Sequence, residues 1–264
     1  MFIVLLSVIS SLLYVNVVAV QQFSLYTETA PQKSQCNFQK YLLGNHVEHV
    51  HQVDYNNNKW LFRGGSPDID PGPSFAYHHL RGSLEYAAKN PLPKNYQIVD
   101  IDLMNFDQGT YDDKESRSEF EYFQQNPSHG SYVFWHTEGT KINATSHHMD
   151  TALRTYLAKT FDVWGRDRVV ERMAALKNFM NATVSQPTVY YIHCDCGCDR
   201  TGLIGGSYYM TYMGLTWEQA NTLNAQIAGR PMDCGPYLAM QWYCLYLNEH
   251  AGMNLNCLNN QPCH

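Results

Sequence analysis

Apolar positions along the chain fall into short blocks of two kinds, β-type runs and longer stretches with helical spacing. Residues 189–192, Val-Tyr-Tyr-Ile, form a continuous β-type run, and residues 203–210 form an apolar block that continues as a buried helix. A polar, glycine-containing segment separates them, so the pattern predicts strand, tight loop, helix. Residues 60–63 predict a strand entering a Gly-rich turn at 64–67, residues 97–103 a buried strand with acids at its end, and residues 132–135 another strand. Helices are expected over 75–90, stopped by Pro91 and Pro93, over 151–159, and over 169–180. Thr216 and Gln219 make a capping box for a helix that Gly229 and Pro231 end. Residues 106–130 are polar and acidic, with helical character over 116–125. The expected fold class is a single α/β domain, a central mostly parallel sheet flanked by helices, with a site at the C-terminal edge of the strands.

The chain ends change this picture. Residues 2–15 are almost wholly apolar and Val17, Val18 and Ala19 are small, so 1–19 reads as a secretory leader, with an uncleaved anchor as the alternative. Residues 20–59 are expected to be an N-terminal arm, 60–250 the catalytic domain and 251–264 a Cys-containing tail. The sequons at Asn143 and Asn181 agree with a secreted or lumenal glycoprotein. No later stretch is long and apolar enough to span a bilayer.

A net charge of −6 argues against a nucleic-acid partner and supplies no basic face for anionic membranes. Eight cysteines in a secreted chain imply disulfides, with Cys36, Cys234, Cys244, Cys257 and Cys263 as the structural set and their connectivity open.

Residues 193–202 read HCDCGCDRTG. A loop between a strand and a helix turns backbone N–H groups inward, and the helix directs its positive end to the same point. Cys194 opens this anion cradle and Arg200, whose planar fork grips two phosphate oxygens, closes it. The donors hold Cys194 as a thiolate, with His193 supporting it through nearby backbone. His193, Cys194, Arg200 and Thr201 resemble the signature of the Cys-based protein tyrosine phosphatase superfamily. The ending Gly197-x-Asp199-Arg200-Thr201-Gly202 is closest to its myotubularin-type and bacterial secreted branches. The resemblance implies a tyrosine-phosphatase-like fold and a Cys-dependent phosphomonoester hydrolase working through a phosphocysteine. No cofactor and no metal are expected.

Under that resemblance, Asp195, Cys196, Gly197, Cys198, Asp199 and Arg200 hold the phosphate, and Thr201 donates to the Cys194 sulfur. The general acid is expected at Asp162, with Asp167 (otherwise a helix N-cap) and Asp199 as alternatives. The segment around Arg63 is similar to the opening of dual-specificity phosphatases, so Arg63 either braces the site or is a surface residue. Met104 stands where the family often has a substrate-guiding Arg. Asp195 and Asp199 repel highly anionic substrates, which favours a phosphorylated protein or small phosphomonoester. The alternatives are an inositol-phosphate or phosphoinositide phosphatase and a non-catalytic phosphate-binding pseudophosphatase. Cys196 or Cys198 is expected to capture Cys194 reversibly under oxidation. A metal or disulfide knot on Cys196 and Cys198 is the rival reading. The histidines at 46, 49 and 51 read as a solvated edge or turn, and His147, His148 and Asp150 as polar surface.

Overall fold

The computed structural model describes residues 47–68, 74–105, 110–145 and 149–258. The leader, most of the arm, Cys36, His46, His147, His148 and Cys263 lie outside the described residues.

Five strands form one sheet in the order β1-β2-β5-β3-β4. They are β1 (His51–Tyr55), β2 (Lys59–Gly64), β3 (Gln97–Asp102), β4 (Gly130–Phe134) and β5 (Thr188–His193). The last four run parallel and only β1 is antiparallel, at the edge. β2, β3 and β5 occupy the predicted positions. The His-rich segment is a turn at His49 leading into the edge strand β1, in keeping with an edge or turn, but β1 pairs with β2, so the sheet begins upstream of Trp60 rather than at it. Its register shifts between Gln52 and Asp54.

Eight helices are found among the described residues: α1 (Tyr77–Ala87), α2 (Tyr111–Gln125), α3 (Thr151–Lys159), α4 (Phe161–Trp164), α5 (Val169–Asn181), α6 (Arg200–Tyr212), α7 (Trp217–Ala228) and α8 (Cys234–Ala251). Thr216 and Gln219 form the expected capping box on α7, and Gly229 ends it at φ 69°. Asp150 caps α3 by accepting from the Leu153 N–H. α2 starts five residues before the expected 116, capped by Thr110, which accepts from the Asp113 N–H.

Alternation along the buried strands divides the core. Phe62, Ile98, Val189 and Tyr191 pack under α1 and α2, whereas Leu61, Ile101, Tyr190 and Ile192 pack with α5 through α8. Each such side chain taken fully out of water contributes about 1.5–3 kcal/mol. The same alternation places Arg63 on the second face and His193 on the first. Gly64 and Asp102 both lie opposite His193, so three strand ends align at one edge. No helix among the described residues is long and apolar enough to cross a membrane.

Cys244 in α8 is joined to Cys257, 13 residues on. This bridge holds the segment around Cys257 against α8, where the Gln241 amide also donates to the Cys257 carbonyl. Replacing both cysteines by Ser should lower unfolding free energy by about 3 kcal/mol, the chain-entropy value for a loop of this size. Urea denaturation of the two proteins checks this.

Candidate active site

The loop between β5 and α6 is built inside out relative to ordinary backbone. Every carbonyl from Asp195 to Asp199 is held from behind. The Asp195 carbonyl accepts from the Ser66 N–H at 2.8 Å, and that of Cys196 lies 2.8 Å from His49 Nδ1. The Gly197 carbonyl accepts from Arg63 at 3.0 Å. Those of Cys198 and Asp199 accept from Gly202 and Leu203 as α6 begins. With the carbonyls turned out, the N–H groups turn in, and among the described residues no backbone acceptor takes the N–H of residues 197–200. Gly197 makes the reversal at φ +70°, and a Cβ there would lie 2.4 Å from the Gly64 carbonyl carbon.

Cys194 lies at the floor of this ring, 2% exposed. The Thr201 hydroxyl donates to its sulfur at 3.1 Å. The Arg200 guanidinium donates to Asp112 Oδ2 at 2.6 Å. Burial works against the Arg200 charge, but Cys194 and then Asp112 outweigh it and raise its pKa. One guanidinium therefore faces both a nucleophile and a carboxylate. Asp112 sits in the first turn of α2, and the same carboxylate oxygen accepts from the Asn105 N–H.

Arg63 is a fully buried brace, which excludes the surface alternative. Its guanidinium donates to Asn224 Oδ1 as well as to the Gly197 carbonyl, and Asn224 in turn donates to the Gly202 carbonyl at 2.9 Å. Gly205 makes room, since a Cβ there would meet Arg63 Nη1 at 2.8 Å. β2, α6 and α7 are thus locked to the loop through one cation.

The three carboxylates expected as general acid are each held by other partners or exposed. Asp162 is exposed on α4, on the side that faces Tyr246 of α8. Asp167 is buried and accepts from the Glu138 and Gly139 N–H groups at 2.8 and 2.9 Å, tying down the segment after β4. Burial raises its pKa against those bonds and Arg172, and the N-cap position of α5 falls to Arg168 instead. Asp199 is clamped by both Arg230 nitrogens, at 2.9 and 2.6 Å, and by the Asp233 N–H. The carboxylate brought to Arg200 is Asp112, which the sequence reading passed over within an acidic stretch. Its one signal was Thr110, a helix cap shortly after a strand ending at the same edge as β5.

His193 turns away from the sulfur. Its Nε2 lies 3.1 Å from Asp100 Oδ1 and 3.3 Å from Glu119 Oε2, and all three side chains are fully buried. Burial would depress the imidazole, but Glu119 and Asp100 raise it well above its usual value, while burial raises both carboxyls.

Cys194 and Cys198 are free thiols. Cys196 and Cys234 are disulfide-bonded. Cys196 is therefore not a spare thiol beside Cys194, a correction that leaves Cys198 alone in that position. Burial pushes the Cys198 thiol up to about 12. Met104 is wholly buried.

No family model and no curated protein matches the chain. Among solved structures, it is similar to the core catalytic domain of the PP-IP phosphatase SIW14 from S. cerevisiae in complex with citrate. The TM-score is 0.41 at 14% identity, covering 82% of this chain and 98% of that one. A second Siw14 catalytic core gives 0.38 at 13% identity, over 82% and 96%.

Two outcomes follow from the geometry. Iodoacetamide at pH 8 should label Cys194 in the folded protein and leave Cys198 unlabelled until denaturant is added, read by peptide mass spectrometry. Arg63→Met should cost about 2–3 kcal/mol in urea unfolding, because it strands two buried acceptors.

Proposed function

We propose that this chain is a Cys-dependent phosphomonoester hydrolase of the tyrosine phosphatase type. The observation that carries the reading is the cradle itself, a ring of outward-tied carbonyls around a buried cysteine whose sulfur receives the Thr201 hydroxyl. A phosphoryl group entering the ring meets inward N–H groups, the positive end of α6 and the Arg200 fork. Its oxygens compete with Asp112 for Arg200, and Asp112, once released from the cation, takes up a proton from solvent and stands as a carboxylic acid beside the leaving group.

Cys194 then attacks phosphorus in line as the ester P–O bond breaks, and Asp112 gives its proton to the departing oxygen. In the second step Asp112 takes a proton from water, which attacks the phosphocysteine, and Thr201 stabilises the sulfur that leaves.

We take the substrate to be a phosphotyrosine or another phosphomonoester of low charge. Asp195 lies in the loop and Asp112 at its rim, and each opposes a polyanion by roughly 1 kcal/mol before salt screening. An inositol phosphate is the second reading; one of the two similar catalytic cores is that of a PP-IP phosphatase. A secretory location is supported by the exposed asparagines of both sequons, Asn143 and Asn181, and by the disulfides.

The test is a panel of aryl phosphate, phosphotyrosyl peptide and inositol phosphates on four proteins. Wild type should turn over and Cys194→Ser should bind without turnover. Asp112→Asn should lose about 10²–10⁴ in kcat, most on poor leaving groups, whereas Asp162→Ala should match wild type. Full activity in Asp112→Asn with loss in Asp162→Ala would reverse the assignment of the acid.

A further inference from the structure

Beneath the catalytic loop, β3, β5 and α2 bring Asp100, Glu119 and His193 together. One donor atom from each lies within 4.8 Å of the others, and the three side chains are wholly inaccessible to water. Two ionisable acids and an imidazole are costly to bury unless each finds a partner.

The neighbouring Asp102 shows what a satisfied buried carboxylate looks like here. Its Oδ1 accepts from the Met104 N–H at 2.7 Å, and its Oδ2 from the Ser116 and Tyr132 hydroxyls at 2.5 and 2.6 Å. Asp100 and Glu119 have nothing comparable. Apart from the His193 imidazole, none of their four oxygens has a polar partner, and neither ring nitrogen makes a well-aligned hydrogen bond. The imidazole contacts at 3.1 and 3.3 Å are close enough but lack the alignment of an N–H donor. Nε2 therefore faces one oxygen of each carboxylate at once, and the three donor atoms surround one point.

That is the disposition of ligands around a common centre. Donors about 2.0–2.2 Å from a tetrahedral zinc ion stand roughly 3.3 Å from one another. One imidazole nitrogen and two carboxylate oxygens suit zinc or another first-row divalent cation, with no thiolate required. We propose that Asp100, Glu119 and His193 hold a structural divalent cation that fastens β3, β5 and α2 together under Cys194. The ion takes no part in phosphoryl transfer, so this site stands or falls separately from the hydrolase reading.

Elemental analysis of the full chain, purified without chelator, should find about one equivalent of zinc or another first-row metal. The metal should be absent from Asp100→Asn and from Glu119→Gln. Wild type refolded after EDTA should regain its Tm only when zinc is returned. X-ray absorption of the metal-bound wild type should show imidazole nitrogen and carboxylate oxygen and no sulfur, which decides the matter even where a variant fails to fold. Three results would overturn the proposal. They are a metal-free wild type whose Tm ignores zinc and manganese, metal retained by both variants, and sulfur among the ligands. The first of these would mean that shared protons hold the triad together.

Discussion

The outward pinning of the carbonyls of Asp195 to Asp199 is the constraint on which the structure depends. A peptide plane has one polar side for each direction, so fixing the oxygens behind the loop fixes the N–H groups in front of it. No single residue does the fixing. Ser66 from the β2 turn, His49 from the edge of the sheet, Arg63 from within β2 and the first turn of α6 each take one or more carbonyls. The parallel register aligns the ends of β2, β3 and β5, and that alignment brings these donors to one place.

Charge is distributed around this edge in two layers. In front, Arg200 faces Cys194 and Asp112, an arrangement that substrate oxygens can rearrange. Behind, Arg63 is committed to two neutral acceptors, the Gly197 carbonyl and Asn224, and holds the loop to α7. Asp199, which would oppose an anion, is instead neutralised by a two-pronged contact with Arg230. One of the loop's two aspartates is therefore offset within the fold.

Much of this was legible in the chain. The switch from the β-type run at 189–192 to the helix after Arg200 located the loop, and the Gly-rich turn after Trp60 located the brace. What escaped did so for physical reasons. The strand His51–Tyr55 carries a register shift at Gln52 and Asp54, which breaks the alternation that would have announced it. The first turns of α2 bury Asp113 and Glu115, so hydropathy gave no sign that a helix had begun. Asp112 meets a partner 88 residues away, a distance no local pattern spans. Asp162, beside an apolar Val-Trp pair, looked better placed, yet a short helix turns its side chain to solvent.

Backbone amide NMR of the full chain titrated with inorganic phosphate tests the cradle most directly. Residues 197–200 should show the largest shifts, saturating together, because their N–H groups converge on one anion. If those four amides stay still while phosphate binds elsewhere, or if no amide moves at all, the loop is not an anion site and the account built on it is wrong.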